Sequence, residues 1–413
     1  MPIVIDHLII GSGVAGATAA ARLRELGTGT ILLCGAEAQP PYKRPRLSKQ
    51  YLRGEHTVED MLVDTREGWE ARGVGLSIGN AVVRLDTTRR TALLEDGTSI
   101  AYGNALLATG SVARPLAVPG WGGTGMHTLR TMQDAGRIRE EIRPGSRVVV
   151  VGGSFNGCEA AASAAARGAE VTVVALESAP LERILGKYVG SHIERLFGDH
   201  GCTFLGGTSV DRIDPSEAGG VLVTTDGREL PFDVLVACVG AAPDLDLARA
   251  SGLDLSDGGV ACDSRMRTSA NDLYAAGDIA AYDSPTLGRR VRLERFEAAW
   301  SQSRTAAANM LGAEQDHDDR TPFFHSELDD WFRLSVVGLN LSWDREVLVG
   351  DIESGSASVW YLQGDSLAAT AVIGEDSGHL DLGRRVLRGE LSAVEALALQ
   401  TRALDILTPV ERH

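Results

Sequence analysis

The hydrophobic pattern of the chain contains the same arrangement twice. An apolar run, residues 3–10 or residues 148–151, is followed directly by a cluster of glycines and then by an alanine-rich stretch. Uninterrupted apolar runs are typical of buried parallel strands, and alanine-rich stretches favour helix. A second apolar run follows each predicted helix and ends near a glutamate. The pattern therefore predicts two strand–helix–strand units in one chain.

The first unit has every part of a dinucleotide-binding fingerprint. Residues 11–16 read Gly-Ser-Gly-Val-Ala-Gly between a predicted strand and a helix predicted over residues 15–26, and Glu37 follows the next strand. The first glycine permits the tight turn, the second lets a pyrophosphate approach the backbone, and the third lets the helix pack on the strand. Backbone N–H groups at the helix N-terminus then hold the phosphates, and the acid binds a ribose.

The second unit, residues 152–157, departs from this pattern. Ser154 stands where the middle glycine is expected, and Ala175 occupies the strand end where an acid is most expected. Glu177, two residues later, has the same offset from its strand as Glu37. Two interpretations stay open: Glu177 binds a ribose, or it is a solvated loop acid and nicotinamide binding is weakened.

Two small-residue turns later in the chain point to FAD in the first site. Residues 108–110, Ala-Thr-Gly, follow a predicted buried strand, and the strand that begins at Leu273 ends in Gly277-Asp278. An aspartate in this position can bind the hydroxyls of a ribityl chain. The remaining pattern predicts a strand over 79–86 and a helix over 297–311. From residue 321 it predicts alternating strands, followed by two short helices.

Composition narrows the function classes. The chain of 413 residues is 44% hydrophobic and 23% charged, which is typical of a globular protein of two or three domains. Its formal net charge of −16 argues against nucleic acid and against an anionic membrane surface as partners. The five cysteines have no metal-site spacing, so no metal is expected. Residues 314–319 are interpreted as a solvated acidic linker, and the absence of a leader pattern favours a cytoplasmic location.

These motifs resemble the flavoproteins of glutathione reductase fold, and most of all the NADH-dependent ferredoxin reductases of oxygenase and P450 chains. The resemblance rests on the two glycine turns, the run Pro-Tyr-Lys-Arg-Pro-Arg-Leu-Ser-Lys at 41–49, and residues 108–110, 127–130, 274–278 and 322–327. It implies an α/β chain with two Rossmann-like dinucleotide-binding domains and a C-terminal α+β domain. The implied domains are an FAD-binding domain of residues 1–112 and 245–320, an NAD(P)H-binding domain of 113–244, and a C-terminal domain of 321–413.

The resemblance also assigns roles by position. Arg44 and Lys49 would lie beside the isoalloxazine, Asp278 would bind the ribityl chain, and Glu159 would lie near the nicotinamide, paired with Lys49. Lys49, Glu159 and His325 are the candidate catalytic residues. The predicted cofactor-binding residues are Gly11, Ser12, Gly13, Ala15, Gly16, Glu37, Arg44, Lys49, Val82, Ala108, Thr109, Gly110, Arg130, Gly152, Gly153, Ser154, Asn156, Gly157, Glu159, Glu177, Gly240, Gly277, Asp278, Glu294 and Phe296.

Several positions differ from the family pattern. Phe296 and His325 replace tryptophans, Glu327 replaces an aspartate, and Asn156 and Cys158 replace apolar residues. Two interpretations stay open: drift in a tolerant family, or a changed electron donor or acceptor. His325 is either a proton relay or, as we favour, a packing histidine.

The expected function is transfer of electrons from NAD(P)H through FAD to a small iron–sulfur protein, an acidic [2Fe-2S] ferredoxin or a similar one. A local basic patch would then receive this partner, formed by Arg44, Arg46 and Lys49 or by Arg289, Arg290, Arg292, Arg295 and Arg304. The alternatives are a flavin-dependent oxidase or reductase of a small molecule and a redox-sensing flavoprotein similar to apoptosis-inducing factor. NADPH is not excluded as the donor, and the protein would be a monomer or a homodimer.

Overall fold

The computed structural model describes residues 2–27, 29–339, 342–374 and 377–400. The chain divides into two units, neither of which is a continuous stretch. The first consists of residues up to 45 together with 57–112 and 241–319, and the second of residues 46–56, 113–240 and 320 onward. Helices and strands are numbered below in chain order.

The first unit is built on a sheet in the order β3-β2-β1-β6-β5-β4, with β19 parallel to β6. The strands β1, β2, β3 and β6 are parallel, and the C-terminal residues of β1, β2 and β6 are buried, as is typical of the centre of a parallel sheet. The elements of this sheet and its helices are β1 (Ile3–Ile10), α1 (Val14–Leu26), β2 (Ile31–Gly35), α2 (Val58–Met61), α3 (Arg66–Ala71), β3 (Val74–Ile78), β4 (Val82–Asp86), β5 (Thr91–Leu94), β6 (Ser99–Leu107), β19 (Leu273–Ala275) and α8 (Phe296–Met310).

Smaller elements complete the first unit. A four-stranded sheet has the order β17-β18-β20-β21, and β7 pairs with β16. The bounds are β7 (Ser111–Ala113), β16 (Ala241–Pro243), α7 (Asp246–Ala250), β17 (Leu255–Ser256), β18 (Gly259–Cys262), β20 (Ala280–Ser284) and β21 (Arg289–Arg292).

The second unit contains another parallel sheet, in the order β11-β10-β9-β15-β8, and a three-stranded antiparallel sheet in the order β12-β13-β14. A 3₁₀ turn at Arg44–Arg46 leads into a π-helical turn at Leu47–Tyr51. The bounds are β8 (Met126–Thr128), α4 (Met132–Glu141), β9 (Arg147–Val151), α5 (Phe155–Ala166), β10 (Glu170–Val174), α6 (Glu182–Asp199), β11 (Cys202–Leu205), β12 (Val210–Ser216), β13 (Gly219–Thr224), β14 (Glu229–Phe232) and β15 (Val234–Ala237).

The C-terminal part of the second unit is an antiparallel sheet in the order β22-β23-β26-β25-β24, with two helices after it. Its bounds are β22 (Phe323–Leu328), β23 (Phe332–Gly338), β24 (Arg345–Asp351), β25 (Ser356–Gln363), β26 (Ser366–Ile373), α9 (Ser377–Leu387) and α10 (Ala393–Gln400). The expected α/β fold class with two Rossmann-like sheets and a C-terminal α+β part is therefore confirmed. Residues 401–413 of the predicted C-terminal domain lie outside the described residues.

Two expectations from the sequence were wrong in detail. The strand predicted over 79–86 begins only at Val82, because Gly79 has a φ of +68° and turns the chain after β3. The acidic segment 314–319 is not fully solvated: His317 and Asp319 are both buried. The Asp319 carboxylate accepts hydrogen bonds from the hydroxyls of Tyr282 and Ser284, which stabilise an acid that the composition alone placed at the surface.

No helix in the described part of the chain has the length and apolar character needed to cross a membrane.

Candidate functional site

The first glycine turn, residues 11–16 between β1 and α1, has the geometry that a bound pyrophosphate needs. Gly11 has a φ of +118°, and a Cβ there would lie 2.1 Å from the carbonyl oxygen of Ala108. A Cβ on Gly16 would lie 1.8 Å from the carbonyl oxygen of Gly11. A Cβ on Gly13, in contrast, would meet nothing within 4 Å, and no side chain caps α1. The helix N-terminus is therefore open to a phosphate.

The acid predicted for this unit is held in place by two neighbours. Glu37 accepts hydrogen bonds of 2.6 Å from the Tyr42 hydroxyl and of 2.6 Å from the Arg44 guanidinium. The negative charge of Asp278 also acts on Arg44. Arg44 is therefore bound to Glu37, the acid that is expected to bind the ribose.

Asp278, expected to bind the ribityl chain, lies in a turn with Gly277, and a hydrogen bond to each of these two residues fixes the turn. The Ser111 hydroxyl donates to its carboxylate at 3.0 Å, and the backbone N–H of Gly277 donates to Gln302 Oε1 at 2.9 Å. Gln302 is fully buried, and its Nε2 has no hydrogen-bond partner in the part of the chain that the structure describes. A buried donor without an acceptor beside this turn fits a bound polar group, as the phosphates and hydroxyls of FAD would provide. Sequence reasoning missed Ser111 and Gln302.

The remaining residues predicted around this site are distributed over three elements. Thr109, between Ala108 and Gly110, donates its hydroxyl to the carbonyl of Asp244 at 3.1 Å. Val82 begins β4. Phe296 begins α8 and is 38% exposed, and Glu294 just before it pairs with Arg292. Ser12 and Ala15 lie in the first glycine turn and the start of α1, and a Cβ on Gly277 would be 3.2 Å from that of Ala15.

The second glycine turn, residues 152–157 between β9 and α5, repeats the first in its outer positions. Gly152 has a φ of +119°, and a Cβ there would lie 2.3 Å from the carbonyl oxygen of Cys238. A Cβ on Gly157 would lie 1.9 Å from the carbonyl oxygen of Gly152, and one on Gly153 would lie 3.0 Å from the Cβ of Ala175. Ser154 occupies the N-cap of α5 in extended conformation, and its side chain makes no capping hydrogen bond. The turn therefore keeps an uncapped helix N-terminus despite the serine.

Other residues predicted for the second site lie around this turn. Ala175 is buried after β10, and the Glu177 carboxylate pairs at 3.1 Å with Arg183, whose side chain is mostly exposed. Asn156 is exposed on the first turn of α5. Gly240 follows β15 with a φ of +98°. Arg130, which the resemblance assigns to FAD and not to the second site, donates its backbone N–H to Asp134. The arrangement fits a second dinucleotide, with Glu177 as the acid available to its ribose.

A buried polar cluster in the second unit joins three distant parts of the sequence. We call Ser48, Lys49, Glu159 and Ser326 the buried cluster; all four are buried. The Lys49 ammonium lies 3.3 Å from Glu159 Oε1, and the Ser326 hydroxyl donates to the same oxygen at 2.7 Å. The Ser48 hydroxyl donates to Oε2, and the Ser163 hydroxyl holds the Ser48 carbonyl at 2.7 Å. The pairing of Lys49 with Glu159 is the one that the resemblance implied.

The Lys49 ammonium has N–H groups that no atom of the buried cluster accepts. An ammonium has three N–H groups, and Glu159 is the one acceptor that Lys49 contacts among the described residues. A buried ammonium with spare N–H groups fits an acceptor atom of a bound molecule. Sequence reasoning missed Ser48, Ser163 and Ser326 as contributors. The signal for Ser326 was weak. It lies within residues 322–327, which carry part of the resemblance, and both of its neighbours, His325 and Glu327, differ from the family pattern.

His325, the third candidate catalytic residue, lies on β22 with its side chain 45% exposed. Its Nδ1 lies 3.1 Å from the Ser335 hydroxyl. Partial burial lowers the pKa of His325, and the nearby charge of Glu327 offsets this only in part. The side chain is thus largely neutral at pH 7 and only partly enclosed by protein.

The five cysteines offer no thiol chemistry. All are unpaired and buried. Burial raises the pKa of the Cys238 thiol to about 12 and raises that of the Cys158 thiol well above its ordinary value, so that neither forms the reactive thiolate near neutral pH. Within the described residues no group of histidines, cysteines and acids could hold a metal ion.

The structure does not support the basic patches expected from the sequence. Lys49 is buried against Glu159, and Arg44 is paired with Glu37. In the second set, Arg290 pairs with Asp283, and Arg292 pairs with Glu294. Burial lowers the pKa of Arg295 to about 10, so this residue is charged but largely enclosed. Internal ion pairs neutralise most of the proposed positive charge.

Comparison with known proteins agrees with this geometry. Residues 5–303 match the family model of the pyridine nucleotide-disulphide oxidoreductases, and the chain belongs to that family. Together with the two glycine turns, this membership identifies FAD and NAD(H) as the cofactors.

Similar proteins include ferredoxin reductases. The chain is 35% identical over 375 residues to the ferredoxin–NAD(+) reductase component of the anthranilate 1,2-dioxygenase system of Burkholderia cepacia, covering 90% of this chain and 92% of the relative. It is 33% identical over 408 residues to rhodocoxin reductase of Rhodococcus erythropolis, covering 98% and 94%. The crystal structure of the covalent putidaredoxin reductase–putidaredoxin complex matches with a TM-score of 0.89 at 30% identity, covering 97% of this chain and 99% of that one.

Proposed function

We propose that this protein is an FAD-dependent NADH:ferredoxin reductase that passes electrons to a small iron–sulfur protein serving an oxygenase or P450. The observation that carries the proposal is the buried Lys49–Glu159 pair in a chain that also has two glycine turns for dinucleotides. The extent of the match to ferredoxin reductases, about nine-tenths of both chains or more, supports it.

When bound, NADH supplies a hydride, and FAD supplies a ring that accepts two electrons and can release them singly. The chain itself contributes binding and alignment. The first glycine turn would bind the pyrophosphate of FAD, Glu37 would bind the ribose, and Asp278, which accepts a hydrogen bond from Ser111, would bind the ribityl hydroxyls. Such positioning accounts for most of the rate in a transfer that needs no general acid or base.

Lys49 and Glu159 have complementary roles in this proposal. The Lys49 ammonium would help to hold the flavin ring and would stabilise the negative charge that reduction adds. Glu159 holds this ammonium in place and borders the nicotinamide position at the second glycine turn. Because the pair is buried, water screens neither charge strongly.

NADH is proposed as the preferred donor over NADPH. Glu177 lies beyond β10 at the position of the ribose acid, and a carboxylate there binds a 2′-hydroxyl but repels a 2′-phosphate. Arg183 pairs with Glu177, so its positive charge is not free to bind a phosphate.

The proposed electron acceptor is an acidic [2Fe-2S] ferredoxin or a similar protein, met in the cytoplasm. With a net charge of −16 on this chain, long-range attraction does not bring the two together, and recognition depends on short-range complementarity. The proposed assembly is a monomer or a homodimer, and the proposed domain bounds are those given above.

The test is an anaerobic titration of the purified yellow protein with NADH and, separately, with NADPH, followed by the visible flavin band. We expect NADH to bleach the band stoichiometrically. NADPH should require a higher concentration for the same bleaching. Cytochrome c reduction should then require added ferredoxin. A flavin that neither nucleotide bleaches contradicts the proposal. Peroxide production at the same rate without ferredoxin would favour an oxidase of small molecules instead.

A further inference from the structure

The hydroxyl of Ser326 reaches the carboxylate of Glu159 from the C-terminal sheet. We propose that Ser326 is a positioning residue for electron transfer: it fixes the Glu159 carboxylate and, through it, the Lys49 ammonium. The inference rests on the proposed function, because it assigns a task to a residue that would not itself touch either cofactor.

The distances indicate which contacts fix the carboxylate. The Lys49 ammonium is 3.3 Å from Oε1, longer than the 2.7–2.9 Å of a strong charge-assisted hydrogen bond. The Ser326 hydroxyl approaches the same oxygen at 2.7 Å, and the Ser48 hydroxyl binds Oε2. With one hydroxyl on each oxygen, the carboxylate cannot rotate. The two serines, more than the ion pair, therefore set its orientation.

The position of Ser326 is itself rigidly determined. It lies in β22 with Leu334 of β23 as its antiparallel partner, and the alternation of the strand directs Ser326 to the buried side and His325 to the exposed side. Phe324 in the same strand packs edge-to-face on Phe155 of α5, with ring centroids 5.1 Å apart. The strand is thereby held against the helix that carries Glu159.

Loss of this hydroxyl frees the carboxylate. Removing a donor leaves Oε1 with the ammonium alone, so the carboxylate gains freedom to rotate. The Lys49 ammonium is then less precisely fixed.

The test compares Ser326→Ala with Ser326→Thr, which keeps a hydroxyl in a β-strand, and with Ser358→Ala as a matched control. Ser358 is a buried serine of the same sheet that accepts a hydrogen bond from Trp360 Nε1 and does not contact Glu159. The limiting rate of flavin bleaching by NADH is measured anaerobically by stopped flow. The midpoint potential of the bound flavin is measured at the same pH with dithionite as reductant.

We expect Ser326→Ala to reduce the limiting rate roughly three- to tenfold, the size of one hydrogen bond to a charged group that is only partly lost. Its midpoint potential should be lower than that of the wild type, because a less fixed ammonium stabilises the negative charge of the reduced flavin less. Ser326→Thr should restore both to near wild-type values. Ser358→Ala should leave both unchanged.

Equal behaviour of Ser326→Ala and Ser358→Ala would overturn the inference, as would a threonine variant that is no better than the alanine variant. The dithionite measurement does not depend on NADH. If NADH fails to bleach even the wild type, the proposed function is wrong, while the potentials still show whether Ser326 controls the charge near the flavin.

Discussion

Separate removal of the two partners of the Lys49–Glu159 pair should have unequal effects on stability. In Glu159→Leu, the buried ammonium of Lys49 loses the one carboxylate that it contacts among the described residues. In Lys49→Met, the Glu159 carboxylate keeps the hydrogen bonds from the hydroxyls of Ser48 and Ser326. Glu159→Leu should therefore be the more damaging change.

The burial of both groups determines how much each substitution lowers the free energy of unfolding. Removing one partner of a buried pair costs about 3–5 kcal/mol because the other charge is left uncompensated. We expect Glu159→Leu to lie in that range and Lys49→Met to cost roughly 1–3 kcal/mol, because two hydrogen bonds to the carboxylate survive. The double variant, which replaces the pair with apolar side chains, should be more stable than Glu159→Leu alone.

The assay is urea unfolding followed by tryptophan fluorescence. Four of the six tryptophans, Trp121, Trp331, Trp343 and Trp360, belong to the unit that contains the pair. The midpoint and slope of the transition give the free energy of unfolding for the wild type, the two single variants and the double variant. Purely additive effects in this cycle would refute the reasoning, since they would mean that the two groups do not interact. Equal single effects would refute the stabilising role of the two serines.

Three further changes have expected outcomes. Glu177→Gln should raise the KM for NADH roughly five- to tenfold and lower the KM for NADPH. The reason is that the amide does not repel a 2′-phosphate and that Arg183 is released to bind it. An unchanged ratio of the two KM values would exclude Glu177 as the residue that selects NADH. Gln302→Leu removes the acceptor of the Gly277 N–H and should raise the Kd for FAD about tenfold, corresponding to one buried unsatisfied donor. Flavin fluorescence on dilution measures this release, and tight retention would contradict the role given to Gln302. Burial lowers the pKa of His317 below its ordinary value near 6.5, with Asp319 and Asp318 offsetting this in part. The unfolded chain therefore takes up a proton at this residue before the folded chain does, and stability is lost as the pH falls from about 7 to 5. The fall in Tm over this range should be smaller in His317→Gln, and an equal fall would show that His317 does not contribute to it.

Local features of the sequence predicted the dinucleotide units well. Gly16 acts locally, because a Cβ there would strike the carbonyl oxygen of Gly11, five positions earlier. The strand before them and the helix after them are also local, so their pattern could be identified directly. The acid Glu37 follows from the same short segment.

Long-range contacts could not be predicted in this way. Ser326 reaches Glu159 across 167 positions of sequence, and nothing in the residues around either one indicates the contact. The burial of Asp319 depends on Tyr282 and Ser284, 37 and 35 positions earlier, whereas its own neighbours are acidic and indicate a surface segment. In both cases the partner that stabilises a polar group is supplied by tertiary packing.

The discontinuous second unit has a consequence for how the protein forms during synthesis. The ribosome releases Lys49 long before Glu159, and Ser326 only after about three-quarters of the chain has emerged. The Lys49 ammonium therefore has no counter-ion until Glu159 emerges, and the Ser326 hydroxyl is added last. Contacts of such long sequence separation form slowly. A nascent chain that ends before β22 therefore lacks one of the two hydroxyls that fix the Glu159 carboxylate.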